Sequence, residues 1–135
     1  GYGVKPPSAQ AGGQAWQEAQ QALIAAMPPH HRAFLDGQEP YVVEAPYIFV
    51  HAGVDPAKPL SEQSEQDFYW IREKFINSPR HFEYQVVHGH TPEQDYHHDA
   101  RRIGIDTGAY LTGVLTAVRL EGGSVTFLQS RRGER

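Results

Sequence analysis

Helical periodicity dominates the first part of the chain. After Gln14, apolar residues recur at intervals of three and four, which predicts an amphipathic helix ending at Pro28-Pro29. Its apolar stripe consists of Trp16, Ala19, Leu23 and Ala26. A second short helix is predicted from about Pro29 to Asp36, with Gly37 as a left-handed cap. The residues that it offers to a core are Ala33, Phe34 and Leu35.

Extended patterns follow these helices. Two β-branched and aromatic runs, Tyr41-Val42-Val43 and Tyr47-Ile48-Phe49-Val50, lie on either side of Glu44-Ala45-Pro46. They predict a hairpin or two adjacent strands. Because the second run is almost entirely apolar, it is typical of a strand buried on both faces.

A third helix is predicted between this strand pair and the remaining strands. It begins at a cap on Ser61 or Ser64 and ends at Ser78-Pro79. One face of it carries Phe68, Ile71 and Phe75. Further strands are predicted at Val86-Val87, Ile103–Ile105, Val114–Leu120 and Val125–Leu128.

The order of elements predicts the fold class and the domain organisation. The last two strands are joined by Glu121-Gly122-Gly123-Ser124, which favours a hairpin. Helices come first and strands last, so we expect an α/β (α+β) protein. Residues 1–13 form an irregular lead-in, residues 14–130 a single domain, and residues 131–135 a short tail.

Charge and composition narrow the function classes. Twelve basic against sixteen acidic residues give a net charge of −4 on 135 residues, which argues against nucleic-acid binding through many phosphate contacts. The chain has no cysteine, so it has neither disulfides nor thiolate ligands and fits a reducing compartment. Cytoplasm is the expected location. No membrane association is expected, because the longest apolar stretch, at Tyr47–Val50, is too short to cross a bilayer.

Two of the eight histidines stand out by their position. His51 directly follows a predicted strand and precedes Ala52-Gly53, and His90 lies in His88-Gly89-His90, which follows the strand at Val86-Val87. Ligand sites in open α/β sheets lie at the carboxyl ends of strands. Both imidazoles could therefore bind one metal ion. The alternative is that each histidine only hydrogen-bonds a nearby carbonyl group.

The remaining polar candidates have structural alternatives. Arg72 borders the apolar face of the third helix, where it could pair with Glu73 or Asp67 or could instead clamp a phosphate. Asp106-Thr107-Gly108 is typical of a turn with an Asx hydrogen bond.

Two histidine pairs complete the candidates. His97-His98 is expected in an exposed loop, with adventitious metal binding at most. His30-His31 is expected to face solvent at the start of a short helix.

Five motifs in order carry a more specific resemblance. They are Tyr47–Pro56, Pro59-Leu60 with Gln63, Trp70-Ile71-Arg72 with Phe75, Val86–Pro92, and Arg102–Tyr110 with Thr112-Gly113. The series resembles the C-terminal half of bacterial serine/threonine phosphatases of the PPP type. These are calcineurin-like metallophosphoesterases, close to the symmetrical diadenosine tetraphosphatases. The resemblance covers roughly residues 20 to 128.

The resemblance implies a fold, a site and a mechanism. The fold is a β-sandwich of mixed sheets flanked by helices, with two divalent metals at the strand ends, Mn first and Fe, Zn or Ni as alternatives. His51 and His90 would bind the same metal, Arg72 would hold the substrate phosphate, and His88 would lie near the site without binding metal. A metal-bridging hydroxide would attack phosphorus.

The departures from the family are equally informative. Its Gly-Asp-x-His-Gly, Gly-Asp-x-x-Asp-Arg-Gly and Gly-Asn-His-Glu/Asp motifs, which supply the remaining ligands and the general acid, do not occur here. Together with the Gly1 start, this predicts a C-terminal fragment that is inactive alone, from an enzyme acting on phosphoserine or phosphothreonine proteins or on dinucleoside polyphosphates. The alternatives are a degenerate binding or regulatory module and a soluble domain with incidental metal affinity.

Overall fold

The computed structural model describes residues 1–133, which form two compact units. The first comprises Gly1–Gln38, and the second runs from Glu39 to the end of the described chain. Residues 134–135 of the predicted tail lie outside the described residues. Among residues 1–133, no helix is long and apolar enough to cross a membrane.

The first unit contains the two helices that the periodicity predicts. α1 spans Gly13–Ala26 and α2 spans Pro29–Asp36. Neither helix buries a residue, and Phe34 is 68% exposed, so the prediction that α2 faces a core is wrong. Two short helices oppose too little apolar surface to cover these side chains. Gly37 caps α2 with φ −90° and ψ 7°, not in the left-handed conformation.

A five-stranded mixed sheet forms the centre of the second unit. Its strands are β1 (Tyr41–Glu44), β2 (Tyr47–Val50), β3 (Gln85–His88), β4 (His97–His98) and β5 (Arg102–Gly104). Their order is β1-β2-β3-β5-β4, with β2, β3 and β5 parallel and with β1 and β4 antiparallel at the edges. The predicted β1–β2 pair and the predicted mixed α/β (α+β) class are confirmed.

A separate two-stranded sheet follows the short helix α5 (Ala109–Thr112). β6 (Val114–Glu121) and β7 (Ser124–Arg131) pair along their whole lengths through a two-residue turn, Gly122-Gly123. The predicted hairpin is confirmed, and its second strand extends three residues beyond the predicted end at Leu128.

The core lies on one face of the five-stranded sheet. Ile48, Val50 and Val86 pack there with Phe68 and Phe75. Tyr47 and Phe49 alternate with the buried positions of β2 and stay half-buried. The prediction of a strand buried on both faces is therefore wrong, because helices cover only one face of the described sheet and the other borders an open cleft.

The predicted third helix is divided into short pieces. A 3-10 turn spans Leu60–Glu62, and α3 (Glu65–Trp70) is separated from α4 (Glu73–Ile76). Ser64, not Ser61, caps α3, because its hydroxyl accepts from Asp67 N while the Asp67 carboxylate accepts from Ser64 N. The backbone becomes extended at Ile71, with ψ 142°, while its side chain remains buried. Arg72 thus lies outside both helices.

Substitution of Gly53 by alanine should destabilise the second unit by roughly 2–4 kcal/mol. Gly53 has φ 149°, and a Cβ there would lie 2.3 Å from Cδ1 of the buried Phe75 ring. Urea unfolding followed by circular dichroism measures the change. Gly13→Ala is the control, because nothing lies within 4 Å of a Cβ at that position. Equal stability of the two variants would contradict this packing.

Candidate functional site

The carboxyl ends of the three parallel strands meet at one edge of the sheet. His51 follows β2, His88 ends β3, and residue 105 follows β5. The backbone pairing continues past the strands, since Gly89 N donates to His51 O at 2.9 Å and Ile105 N donates to His88 O at 3.0 Å. The segments that follow the strands are therefore fixed relative to one another.

His51 and His90 lie together at this edge, as the strand-end pattern predicts. Nε2 of His51 and Nδ1 of His90 are 3.1 Å apart. Two nitrogens bound to one ion at 2.0–2.1 Å would be about 2.9 Å apart for perpendicular bonds and about 3.4 Å apart at the tetrahedral angle. The observed separation falls between these values and is also that of a hydrogen bond between the two rings, so the distance is compatible with two coordination positions of one ion.

The donor set is nevertheless small. Among residues 1–133, no group of three or more histidine, cysteine, aspartate or glutamate side chains is arranged to hold a metal ion. Nε2 of His90 is buried and has no hydrogen-bond partner among these described residues. Burial and the nearby Arg72 and His51 lower the pKa of His90, which favours the neutral imidazole that metal binding requires.

Arg72 points to the same edge as the two histidines. Its Nη1 donates to the carbonyl oxygen of His90 at 3.0 Å. The surface partners that the sequence offers are engaged elsewhere: Glu73 accepts from Asn77 at 2.7 Å, and Asp67 pairs with Lys58 at 2.9 Å. The break between α3 and α4 thus brings Arg72 to the histidines.

His88 lies beneath the edge, with only 2% of its surface exposed. Its Nδ1 is 3.0 Å from Gly89 O and its Nε2 is 3.2 Å from Nη1 of Arg102. A carbonyl oxygen only accepts and a guanidinium only donates, so the ring carries its proton on Nδ1. Burial lowers the pKa of His88 to about 4. Both nitrogens are occupied within the protein, which leaves none to bind metal.

An open cleft of about 630 Å³ adjoins these residues. His51, His90 and Asp106 line its polar end, and Phe49 and Leu115 line its apolar side. Asp106 forms the Asx turn that the sequence predicts, with Oδ1 accepting from Gly108 N at 2.9 Å.

The other two histidine pairs do not contact His51 or His90 in the hydrogen bonds of the described residues. His97-His98 forms β4 against Ile103 and Gly104 instead of the predicted exposed loop, because the backbone can extend the sheet there. His98 itself is exposed. His30 and His31 are exposed as predicted, and Nδ1 of His31 bonds the Tyr2 hydroxyl.

The sequence assigned no site role to three residues near the site, although Trp70 and Arg102 belong to the motifs that carry the resemblance. The Trp70 ring packs edge-on against His90, with 5.9 Å between ring centroids. Arg102 and Glu93 form a bidentate ion pair next to His88. A charged residue inside the apolar strand that includes Ile103 was an available signal for Arg102, whereas Glu93 carries no local signal.

Comparison with known proteins shows the fold. No protein-family model and no curated protein matches this sequence. The crystal structure of a candidate diadenosine tetraphosphatase superposes with a TM-score of 0.65 at 18% identity. The match covers 89% of this chain and 61% of the other. The chain therefore has the fold of a diadenosine tetraphosphatase-like protein and spans 61% of that protein's length.

The metal-free chain should lose stability as the pH falls from 6.5 to about 4. The unfolded His88 takes up a proton near pH 6.5 and the folded one only near 4, so the unfolded state binds more protons in this window. The loss attributable to His88 is about 3 kcal/mol. Urea unfolding at several pH values, with a chelator present, measures it.

His88→Gln should remove most of this pH dependence, and His81→Gln, at an exposed position, is the control. His90, whose pKa is also lowered, accounts for a residual slope of the same sign. The charged or titratable groups facing His88 are Arg102, Glu93 and His97. Arg102 lowers the pKa of Glu93 from 4.5, so this carboxylate adds a smaller loss of the same sign at the acid end of the window. An unchanged slope in His88→Gln would refute the assignment.

Proposed function

We propose that this chain supplies part of the active site of a metal-dependent phosphoester hydrolase. The observation that carries the proposal is the convergence of three side chains at one sheet edge: Nε2 of His51 lies 3.1 Å from Nδ1 of His90, and Arg72 reaches the His90 carbonyl at 3.0 Å. Two imidazoles beside a guanidinium suit a metal ion beside a phosphate.

Each of these residues has a separate task. His51 and His90 hold one divalent ion through neutral imidazole nitrogens, and Arg72 binds phosphate oxygens through its forked N–H groups. Divalent ions, when bound, lower the pKa of coordinated water and neutralise phosphoryl charge. His88 acts as neither acid nor ligand, because both of its nitrogens are engaged. The family resemblance makes manganese the first expectation, and iron, zinc and nickel suit imidazole ligands.

The rest of the site is proposed to come from a segment that precedes this chain in a longer protein. Two imidazoles leave one ion with incomplete coordination and provide nothing for a second. The unpartnered Nε2 of His90 and the greater length of the structurally similar protein support this inference. A degenerate, non-catalytic module is the alternative if no such segment exists.

Two substrate classes fit this chemistry. The resemblance of the motifs leaves open a phosphoserine or phosphothreonine protein and a dinucleoside polyphosphate, and the structurally similar protein is a candidate diadenosine tetraphosphatase. We propose the protein phosphatase first, because the five ordered motifs resemble PPP-type serine/threonine phosphatases, and the dinucleoside polyphosphate hydrolase is the alternative. Measuring kcat/KM on a phosphoserine peptide and on diadenosine tetraphosphate separates the two.

The 135-residue chain, assayed with Mn²⁺ on p-nitrophenyl phosphate, should show no turnover above buffer. Its two imidazoles hold one ion weakly, and two-metal hydrolysis needs further carboxylates and imidazoles. The longer protein with the three upstream motifs restored should hydrolyse the same ester in a metal-dependent way. Metal-dependent turnover by the monomeric 135-residue chain would contradict the proposed ligand set.

In that longer protein, Arg72→Lys should lower kcat/KM by roughly 10²-fold or more, because lysine cannot offer two parallel N–H donors to a phosphate. Arg80→Lys, at an exposed position away from the edge, is the matched control and should keep full activity. Steady-state kinetics on p-nitrophenyl phosphate measure kcat/KM of both variants. Equal kcat/KM in the two variants would exclude Arg72 from phosphate binding.

A further inference from the structure

His90 lies at the tip of an unusually tight turn. Thr91 N donates to Gly89 O at 2.7 Å, which closes a three-residue turn around His90. His90 has φ 64°, the one non-glycine residue with positive φ among residues 1–133. A γ-turn with positive φ is rare and strained, so the surrounding structure must hold it.

The turn is held from two sides. On one side Arg72 donates to the His90 carbonyl. On the other side Gly89 O accepts a second bond, from Nδ1 of His88. The carbonyl that closes the turn is thus fixed by a buried ring, and the orientation of that ring depends on what binds its other nitrogen.

That other partner is the buried Arg102, which forms an ion pair with the half-buried Glu93. Nη1 of Arg102 lies 3.2 Å from Nε2 of His88, and the same guanidinium binds Glu93 at 2.9 and 3.1 Å. Arg102 is only 4% exposed. It reaches His88 from the neighbouring strand β5, whose residue Gly104 pairs with His88.

Gly104 leaves the space that this cluster needs. A Cβ there would lie 2.9 Å from Oε2 of Glu93, 3.1 Å from Nη1 of Arg102 and 3.4 Å from Nε2 of His88. A side chain at this position would displace the Glu93 carboxylate and crowd the Arg102 guanidinium, which binds His88.

We propose that Arg102 and Glu93 are positioning residues that act through His88 to hold the turn presenting Nδ1 of His90 to Nε2 of His51. Only the Arg102 charge is removed from water, and the cost of burying it offsets much of what its pairing with the half-buried Glu93 contributes, so the pair is weak support for a purely stabilising role. The guanidinium of Arg102, held in place by Glu93, instead determines which nitrogen of His88 carries the proton. The metal-binding consequence rests on the proposed function, and the geometry of the turn does not.

Three variants test the proposal. The double variant Arg102→Met/Glu93→Met removes the pair without leaving an unpaired buried charge, Arg102→Lys keeps the charge and loses the fork, and Gly104→Ala crowds the cluster. Arg119→Met is the matched control, because Arg119 pairs with Glu121 on the exposed hairpin. Thermal unfolding identifies which variants remain folded.

The first readout is nitrogen-15 NMR of the metal-free chain. The wild type and Arg119→Met should show His88 as the Nδ1–H tautomer and slow exchange of the Thr91 amide. The folded variants of the cluster should show a mixed tautomer and faster exchange. Wild-type signals in the folded double variant and in Arg102→Lys would overturn the proposal, since a merely stabilising pair would leave them unchanged.

The second readout is a Zn²⁺ titration followed through the His51 and His90 rings. Affinity should fall about 10- to 100-fold in the folded cluster variants and stay unchanged in Arg119→Met. Equal affinity throughout would overturn the role in metal binding. Failure of wild-type rings to respond to Zn²⁺ would refute the proposed function instead, while the metal-free spectra would still decide whether the pair holds the turn.

Discussion

The parallel pairing of β2, β3 and β5 is the constraint on which the site depends. Phe49 lies beside Val87, and Val87 beside Ile103, so all three strands end at the same level. His51 and Gly89-His90 consequently leave the sheet side by side. A slip of one residue in this register would reverse the faces of the side chains and separate the two imidazoles.

The extended backbone at the buried Ile71 determines where Arg72 lies. A continuous helix through this segment would place Arg72 one residue beyond the buried face, on the helix surface. The chain instead becomes extended at Ile71, which remains 9% exposed, and restarts as α4 after Arg72. The guanidinium therefore reaches the His90 carbonyl.

The candidate site has a hydrogen-bonded side and an open side. Beneath the histidines, buried hydrogen bonds fix His88, Arg102 and the turn at His90. On the face of the five-stranded sheet opposite the core, Phe49 stays half-buried. Leu115, from β6, also lines the cleft and is 65% exposed. A two-metal site with further ligands from a preceding segment would account for both the cleft and the small number of donors.

The sequence by itself determined the elements whose causes are local. Proline and glycine positions bounded α2 and the hairpin β6–β7, β-branched runs marked β1 and β2, and histidines after two strands indicated the edge of the site. The five ordered motifs also indicated the fold that the structural comparison shows.

Tertiary structure decided the rest, because the responsible contacts join distant parts of the chain. No local signal divides the third helix at Ile71, and none pairs Glu93 with Arg102 or extends the sheet at His97. The exposure of Phe34 and the half-buried side of β2 likewise depend on which surfaces the fold brings against them. Periodicity shows that a side chain is apolar, but only the packed neighbours determine whether water is excluded from it.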